Sequence, residues 1–381
     1  MEQEQQTIAQ LAKSLKSLPQ LLQAAFENDG RRLESLSLSI IRSLRTSFPE
    51  ISKEMSSVLV SRKAGSDPAR LAHIEPPPLD RDSTTPLLKV ESAEGAKEPI
   101  LSKSISDHIS RFIRERKENE KLLAEGIMPP RTLLLMGPPG TGKTMLARWM
   151  ATQLNLRLVT LDLATSISSF LGKTGMNLRR VLDYSRATPC LLLLDEFDSI
   201  AKKRDDSTDV GELKRIVNVL LKELEDWPAQ SVLVAATNHP ELLDPAISRR
   251  FDRTILLGVP SQDERSQILT RVLGRFAGSI KPGLMAAVSG VLEGKSGAQV
   301  ETIADASIRR NIVDSEPIER ALVSELSAAM GDDRQESTTA LVKAFDEQSN
   351  GSFSVRELAA VLGLSPSTVQ YHLKKKEQKN A

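Results

Sequence analysis

The chain has 381 residues, a formal net charge of +1 and 3% aromatic residues. The length is sufficient for two or three domains, and the near-zero charge excludes the whole-chain field that marks many nucleic-acid or membrane binders. A single cysteine, Cys190, excludes an intramolecular disulfide and indicates a reducing compartment. We find no signal-peptide pattern and no apolar run near the roughly 20 residues that cross a bilayer, so we expect a cytoplasmic chain with no membrane partner.

Residues 1–62 place apolar side chains at helical spacing in two stretches, 8–22 and 33–44. The spacing predicts a helical hairpin with one apolar face per helix, ending at Pro49. That face would either pack within the chain or bind a partner, and the sequence favours neither alternative. Residues 63–99 contain three consecutive prolines and are predicted to form an extended linker.

Residues 100–330 alternate apolar β-type runs with helical patterns, which indicates a parallel α/β sheet. Within them, "TLLLMGPPGTGKT" at 132–144 joins a strand to a helix through a loop that satisfies G-x-x-x-x-G-K-[ST]. The glycines let backbone N–H groups turn towards phosphate oxygens, so we predict that Lys143 reaches the β- and γ-phosphates of ATP and that Thr144 ligates Mg²⁺. The expected nucleotide-binding residues of this loop are Gly137, Pro138, Pro139, Gly140, Thr141, Gly142, Lys143, Thr144 and Met145.

Polar side chains follow two further apolar runs. "CLLLLDEFDSI" begins at Cys190, a small core residue in this interpretation, and continues through four leucines to Asp195 and Glu196. Because open α/β sheets bind ligands at the carboxyl ends of their strands, we predict that Asp195 holds Mg²⁺ and that Glu196 deprotonates the attacking water. "VLVAATN" ends at Asn238, which would help to position that water, and Arg249 follows further along. Arg249 and Arg250 could contact the γ-phosphate of ATP bound to a neighbouring subunit.

Together these motifs resemble AAA family ATPases, within the AAA+ superfamily, over about 98–330. The resemblance rests on "GPPGTGKT", "LLLLDEFD", "AATNHPELLDPAISRRFD" and "GKSGAQVETIADASIRR" in this order. It implies an α/β subdomain over 100–259, with a five-stranded parallel sheet and helices on both faces, followed by a helical lid over 260–330. It also implies an enzyme that hydrolyses ATP with Mg²⁺ and works as a homo-oligomeric ring, usually a hexamer.

The resemblance also assigns roles to individual residues. It makes Asn238 a sensor and places Gly297 and Ala298 at the contact with adenine. Arg249 and Arg250 correspond to arginine fingers. Their segment "ISRRFD" is short, as in katanin-like and some stand-alone bacterial members, and leaves open which of the two is the primary finger.

The stretch "SISSFLGKTG" at 166–175 lies where the family carries an aromatic–hydrophobic–glycine loop that lines a central pore. Phe170, Leu171 and Gly172 match that loop. An aromatic ring beside a flexible glycine would grip an extended polypeptide without regard to its sequence. The alternative is that Phe170 is a core residue.

Residues 338–381 are predicted to form a separate helical module. "SVRELAAVLGLSPSTVQYHLKKK" at 354–376 resembles a helix-turn-helix, in which the second helix would bind DNA. The alternative is an adaptor that binds protein or packs on the ring. His372 is interpreted as a phosphate or solvent contact rather than a metal ligand. The side chains that would face a major groove are Ser367, Thr368, Gln370, Tyr371 and Lys374.

The favoured interpretation is an ATPase that remodels, unfolds or threads protein substrates through a pore. One alternative is a DNA-associated regulator addressed by its helix-turn-helix. The other is an ATP-dependent regulator of a separate subtilisin-like protease, since no protease motif occurs in the chain itself.

Overall fold

The protein is described here by a computed structural model. It describes residues 17–24, 30–45, 48–63, 78, 86–91, 95–165, 174–199, 220, 222–330, 334–349, 354–362 and 364–377. The proposed pore residues Phe170, Leu171 and Gly172 lie outside these ranges.

The described elements follow the α/β order that the sequence predicts. The strands are β1 (Lys89–Glu91), β2 (Thr132–Met136), β3 (Arg157–Asp162), β4 (Cys190–Asp195), β5 (Val232–Thr237) and β6 (Arg253–Leu256). The helices are α1 (Gly30–Leu44), α2 (Pro49–Lys63), α3 (Lys103–Lys117), α4 (Asn119–Ala124), α5 (Lys143–Gln153), α6 (Thr174–Ala187), α7 (Pro245–Ser248), α8 (Gln262–Leu273), α9 (Pro282–Val291), α10 (Gly297–Asp314), α11 (Ile318–Ala329), α12 (Arg334–Ser349), α13 (Val355–Leu362) and α14 (Pro366–Glu377).

The chain divides into two compact units. The first, called the sheet unit below, comprises Met1–Glu98, Ser106–Gly137 and Lys143–Leu256. The second, called the lid unit, comprises Pro99–Ile105, Pro138–Gly142 and Leu257–Ala381.

The sheet unit contains one sheet with strand order β1-β3-β4-β5-β2-β6. The five strands β2 to β6 are parallel, as the sequence predicts. β1 adds a sixth strand that pairs antiparallel with β3, through Val90 opposite Val159. Part of the stretch predicted as a linker is therefore strand, because Leu87 and Leu88 just before it are buried against the sheet core.

The central strands are apolar on both faces because helices cover a parallel sheet on both sides. Leu191, Leu192, Leu193 and Leu194 of β4 have no exposed surface, which accounts for the four-leucine run in the sequence. Cys190, at the start of β4, is also fully buried, as predicted for a small core residue.

The N-terminal helices pack within the chain. Leu38 and Ile41 of α1 form a buried cluster with Leu123 of α4. The Arg42 guanidinium donates from Nε to the carbonyl oxygen of Gly126 at 2.9 Å. Gly126 has φ +71°, a conformation that favours glycine, and a Cβ there would displace the Arg42 side chain. These contacts use the apolar face of α1 internally. α1 also packs on α2, a helix that the sequence does not predict. Most of the predicted first helix, 8–22, lies outside the described residues.

The lid unit is helical, and its C-terminal helices share its core. Leu284 and Leu322 of α9 and α11 belong to the same buried cluster as Phe345 of α12, Leu358 of α13 and Val369 of α14. α12 packs on α9, and α13 packs on α11. The residues predicted as a separate module thus complete the core of the lid. Among the described residues, no helix is both long enough and apolar enough to span a bilayer.

Candidate functional site

The predicted catalytic residues of the sheet unit follow adjacent parallel strands. β4 ends at Asp195, and β5 ends at Thr237, which pairs in register with Met136 at the end of β2. Since β4 and β5 are parallel neighbours, their carboxyl ends lie at one edge of the sheet. This edge brings together side chains that are about 40 residues apart in sequence.

Lys143 begins α5, directly after the glycine-rich loop. Its Nζ donates to the carbonyl oxygen of Gly137 at 2.7 Å, and only 6% of the residue is exposed. Burial lowers the pKa of the Lys143 ammonium, and the carboxylates of Asp195 and Asp198 oppose that shift. Phosphate oxygens would add further negative charge beside this ammonium and so favour its cationic form.

Thr144 and Asp195 are in direct contact. The Thr144 hydroxyl donates to Oδ2 of Asp195 at 3.0 Å, and the Glu196 backbone N–H donates to Oδ1 of the same carboxylate at 3.0 Å. Mg²⁺ in phosphate sites takes few protein ligands, all through oxygen. A hydroxyl and a carboxylate in contact fit that requirement, and among the described residues no cluster of three or more His, Cys, Asp or Glu side chains offers a different metal site.

Glu196 has φ +53°, a conformation that costs energy for any residue other than glycine. The next residue explains how it is held. The Phe197 backbone N–H donates to the carbonyl oxygen of Ala236 on β5 at 2.8 Å, and the Phe197 side chain is 2% exposed. The chain therefore reverses sharply after Asp195, and the Glu196 side chain stays exposed while Phe197 enters the core.

Asp198 is a site residue that the sequence analysis did not single out. Its carboxylate is buried, and its Oδ1 accepts from the Thr237 hydroxyl at 3.2 Å and from the Asn238 backbone N–H at 3.1 Å. It therefore fixes the backbone at Asn238, the predicted sensor, relative to β4. The available signal was a third acidic residue in "DEFD", but only the sheet register shows what it contacts.

The glycine-rich loop and the start of α10 meet inside the lid unit. The Ala298 backbone N–H donates to the carbonyl oxygen of Gly140 at 3.0 Å. Gly140 has φ +76°, and a Cβ there would lie 2.6 Å from Oγ of Ser296, so only glycine fits. Ser296 caps α10 in a capping box with Gln299. A Cβ on Gly297 would lie 3.4 Å from the Gly140 carbonyl oxygen, so both residues predicted near adenine lie beside this loop.

The two adjacent arginines differ in their surroundings. Arg250 forms an ion pair with Glu225 of the same chain. Arg249 is exposed, and its side chain contacts no hydrogen-bonding or acidic partner within the described ranges. The segment is anchored by Asp252, whose Oδ2 accepts from the backbone N–H groups of Arg131 at 2.6 Å and Thr132 at 2.9 Å.

In the C-terminal helices, α14 presents a polar face. Gln370 and Tyr371 are exposed, the latter by 60%. The prediction for His372 is wrong. This side chain is 6% exposed and its Nδ1 lies 3.0 Å from the Thr339 hydroxyl of α12, because residue 372 falls on the inward face beside Val369. Ser367 is exposed, Thr368 is half-buried beside the capping hydroxyl of Ser365, and the side chain of Lys374 lies outside the described residues.

The glycine-rich loop, the acidic end of β4 and the six-stranded sheet define a nucleotide-hydrolysing P-loop domain. A family model described as "ATPase family associated with various cellular activities (AAA)" matches residues 133–259. The chain is 32% identical over 252 residues to the AAA family ATPase y4kL of Sinorhizobium fredii, which covers 65% of this chain and 76% of that protein. The chain therefore belongs to the AAA family and is an ATPase. A second model, described as "Winged helix-turn-helix DNA-binding", matches residues 348–378.

Two other relatives match a smaller share of their own length. The proteasome-activating nucleotidase of Methanococcus maripaludis is 34% identical over 214 residues, which are 52% of this chain and 51% of that protein. The peroxisomal ATPase pex6 of Schizosaccharomyces pombe is 37% identical over 161 residues, 40% of this chain and 17% of that protein. The crystal structure of the FIGL-1 AAA domain has the same fold, with a TM-score of 0.54 at 21% identity over 71% of this chain and 96% of that one.

Proposed function

We propose that the protein is a Mg·ATP-dependent ATPase that forms a homo-oligomeric ring, a hexamer by family resemblance, and remodels, unfolds or threads protein substrates. The contact between Thr144 and Asp195, beside the buried ammonium of Lys143, is the observation that carries the ATP chemistry. Relatives named as a proteasome-activating nucleotidase and a peroxisomal ATPase support protein remodelling.

In this proposal each group has one task. Lys143 binds phosphate oxygens, Thr144 and Asp195 hold Mg²⁺, and Glu196 takes the proton of the attacking water while Asn238 orients that water. The bound metal ion would neutralise charge that develops on the phosphates during transfer. The residues beside the loop in the lid unit, Gly297 and Ala298, are proposed to contact the adenine.

The arginine segment is proposed to act on the nucleotide of a neighbouring subunit. Because Arg250 is paired with Glu225 in its own chain, we assign the primary contact to Arg249, which is exposed. An arginine supplied in this way stabilises the charge of the transition state, and its loss costs on the order of 10³-fold or more in rate.

Protein threading is tested at Phe170. If this residue grips a polypeptide, Phe170→Ala retains ATP hydrolysis and loses the unfolding of a fluorescent reporter protein that carries an unstructured tail. Phe170→Tyr is the matched control, since it keeps the aromatic ring and should keep unfolding. A Phe170→Ala chain that unfolds the reporter at the parental rate would contradict threading by this loop.

The match to a winged helix-turn-helix and the exposed polar face of α14 favour a second candidate, in which residues 354–376 address the ring to DNA. Gln370→Ala with Tyr371→Ala should then weaken binding to duplex DNA by roughly tenfold, because exposed side chains of a recognition helix contact base edges. Fluorescence anisotropy at several salt concentrations measures this, with the exposed Ile312 of α10 changed to alanine as control. Affinity for duplex DNA that does not change with salt would contradict this candidate.

Two finer assignments complete the proposal: a cytoplasmic location and a separate subtilisin-like protease as an alternative partner. The name of the Methanococcus relative, a proteasome-activating nucleotidase, supports coupling to a separate protease in general. Stimulation of a candidate protease by the parental chain, and not by a Phe170→Ala chain, would support this partner.

A further inference from the structure

Two buried phenylalanines connect the acidic end of β4 to the arginine segment. Phe197 directly follows Glu196, and Phe251 directly follows Arg250. Their ring centroids are 6.0 Å apart, with an angle of 83° between the ring planes, in an edge-to-face arrangement. Only 2% of Phe197 and 7% of Phe251 is exposed, so the contact lies inside the core of the sheet unit.

Both rings are held firmly by the backbone. Phe197 is fixed to β5 through its backbone N–H, which donates to the Ala236 carbonyl oxygen at 2.8 Å. Phe251 lies between two anchors. On one side is α7, which is capped by the Asp244 side chain, and on the other is Asp252, which is hydrogen-bonded to Thr132 at the start of β2. A close-packed interior transmits displacement, and this contact therefore links the chain at Glu196 mechanically to Phe251.

The charged residues that precede these two phenylalanines in the sequence lie at the surface. Glu196, Arg249 and Arg250 are exposed, whereas the two phenylalanines are buried. Each segment therefore carries its charged groups outward and one ring inward, and the two rings meet. A change at the acidic end of β4 can reach the arginine segment through this contact without passing through solvent.

We propose that the Phe197–Phe251 contact holds the arginine segment in the position from which it reaches the nucleotide of the next subunit, and so links the acidic end of β4 to the arginine supplied to that subunit. This inference rests on the proposed inter-subunit role of the arginines. Phe197 and Phe251 are positioning residues, since neither side chain reaches the surface at which nucleotide would bind.

The test uses two chains assembled together. One chain carries Arg249→Ala and Arg250→Ala and retains its nucleotide residues. The other carries Lys143→Ala and retains its arginines. The second chain is called the arginine chain below. In mixed assemblies, hydrolysis then occurs only where a nucleotide site of the first chain lies next to the arginines of the arginine chain.

Phe197→Leu is introduced into the arginine chain. Its own nucleotide site is already disabled, so the variant cannot act by changing hydrolysis in that same chain. We expect kcat of the mixed assembly to fall by about 2- to 10-fold, the range that the loss of an aromatic pair contact predicts, with KM for ATP unchanged. Phe112→Leu in the same chain is the control, since Phe112 is an equally buried ring of α3 outside this cluster, and should leave kcat unchanged.

Phe251→Leu provides a second test of the same contact, in case Phe197→Leu lowers the melting temperature of the chain too far for comparison. In the arginine chain it should produce a similar loss, and the double variant should be no worse than the more affected single variant, because both remove one contact. Parental kcat with either variant, or additive losses in the double variant, would overturn the proposal. If the chains co-assemble and the mixture without phenylalanine changes recovers no activity, the inter-subunit role of the arginines fails, and this inference fails with it.

Discussion

The sheet unit and the lid unit place their functional residues differently. In the sheet unit, Asp195 ends β4, Thr237 ends β5 and Asn238 follows β5, and none of the three belongs to the apolar core cluster. In the lid unit, the helices that match a DNA-binding family also complete the core, through Leu358 of α13 and Val369 of α14. Substitutions can therefore separate chemistry from stability in the sheet unit, whereas removal of residues 338–381 would open the core of the lid unit.

The largest expected effect is on hydrolysis. Glu196→Gln keeps the shape of the side chain but removes the base, so turnover should fall by about 10²- to 10⁴-fold while ATP binding is retained. Phosphate release and titration with a fluorescent nucleotide measure the two quantities. Glu118→Gln is the matched control, because Glu118 is an exposed carboxylate paired with Lys121 on the surface. Hydrolysis at the parental rate by Glu196→Gln would show that Glu196 is not the base.

In the lid unit, a buried and an exposed aromatic residue should differ in their contribution to the free energy of unfolding. Phe345 has no exposed surface, and Phe345→Ala should lower the free energy of unfolding by about 3–5 kcal/mol. Tyr371 is 60% exposed, and Tyr371→Ala should change the free energy of unfolding by less than about 0.5 kcal/mol. Denaturant titration of both variants measures this difference. Equal losses would mean that the C-terminal helices do not share the lid core.

Asp198 gives an effect of intermediate size. Asp198→Ala leaves the Thr237 hydroxyl and the Asn238 N–H without an acceptor, which should destabilise the protein by about 1–3 kcal/mol. Displacement of Asn238 should also lower kcat on the order of tenfold. Asp198→Asn retains an acceptor oxygen and should be affected less in both measurements. If Asp198→Ala has parental kcat, Asp198 does not position the sensor.

Local motifs identified most of the site because phosphate binding depends on consecutive residues. "GPPGTGKT" and the acidic pair after four leucines are legible in one sequence, and the family they indicate is confirmed. Contacts that depend on strand register were not predicted, among them Asp198 with Thr237 and Phe197 with Phe251. The prediction for His372 failed for a related reason, since helical periodicity alone did not show that α12 covers that face. The sequence predicts that a helix ends at Pro49, whereas Pro49 is the first residue of α2, a position at which proline is favourable.

The last expected effect lies away from the site and concerns Cys190, the only cysteine of the chain. Burial raises the pKa of its thiol from 9.0 to about 11, so at pH 8 the folded chain should contain about 100-fold less thiolate than the unfolded chain. Alkylation by iodoacetamide at pH 8 should therefore be slow in the folded protein and fast in denaturant. The raised pKa also means that the neutral thiol favours folding below pH 9 and that this contribution disappears as the pH rises to about 11. The stability difference between the parental chain and Cys190→Ala should accordingly narrow over that interval, and a difference that stays constant would show that the thiol titrates normally in the fold.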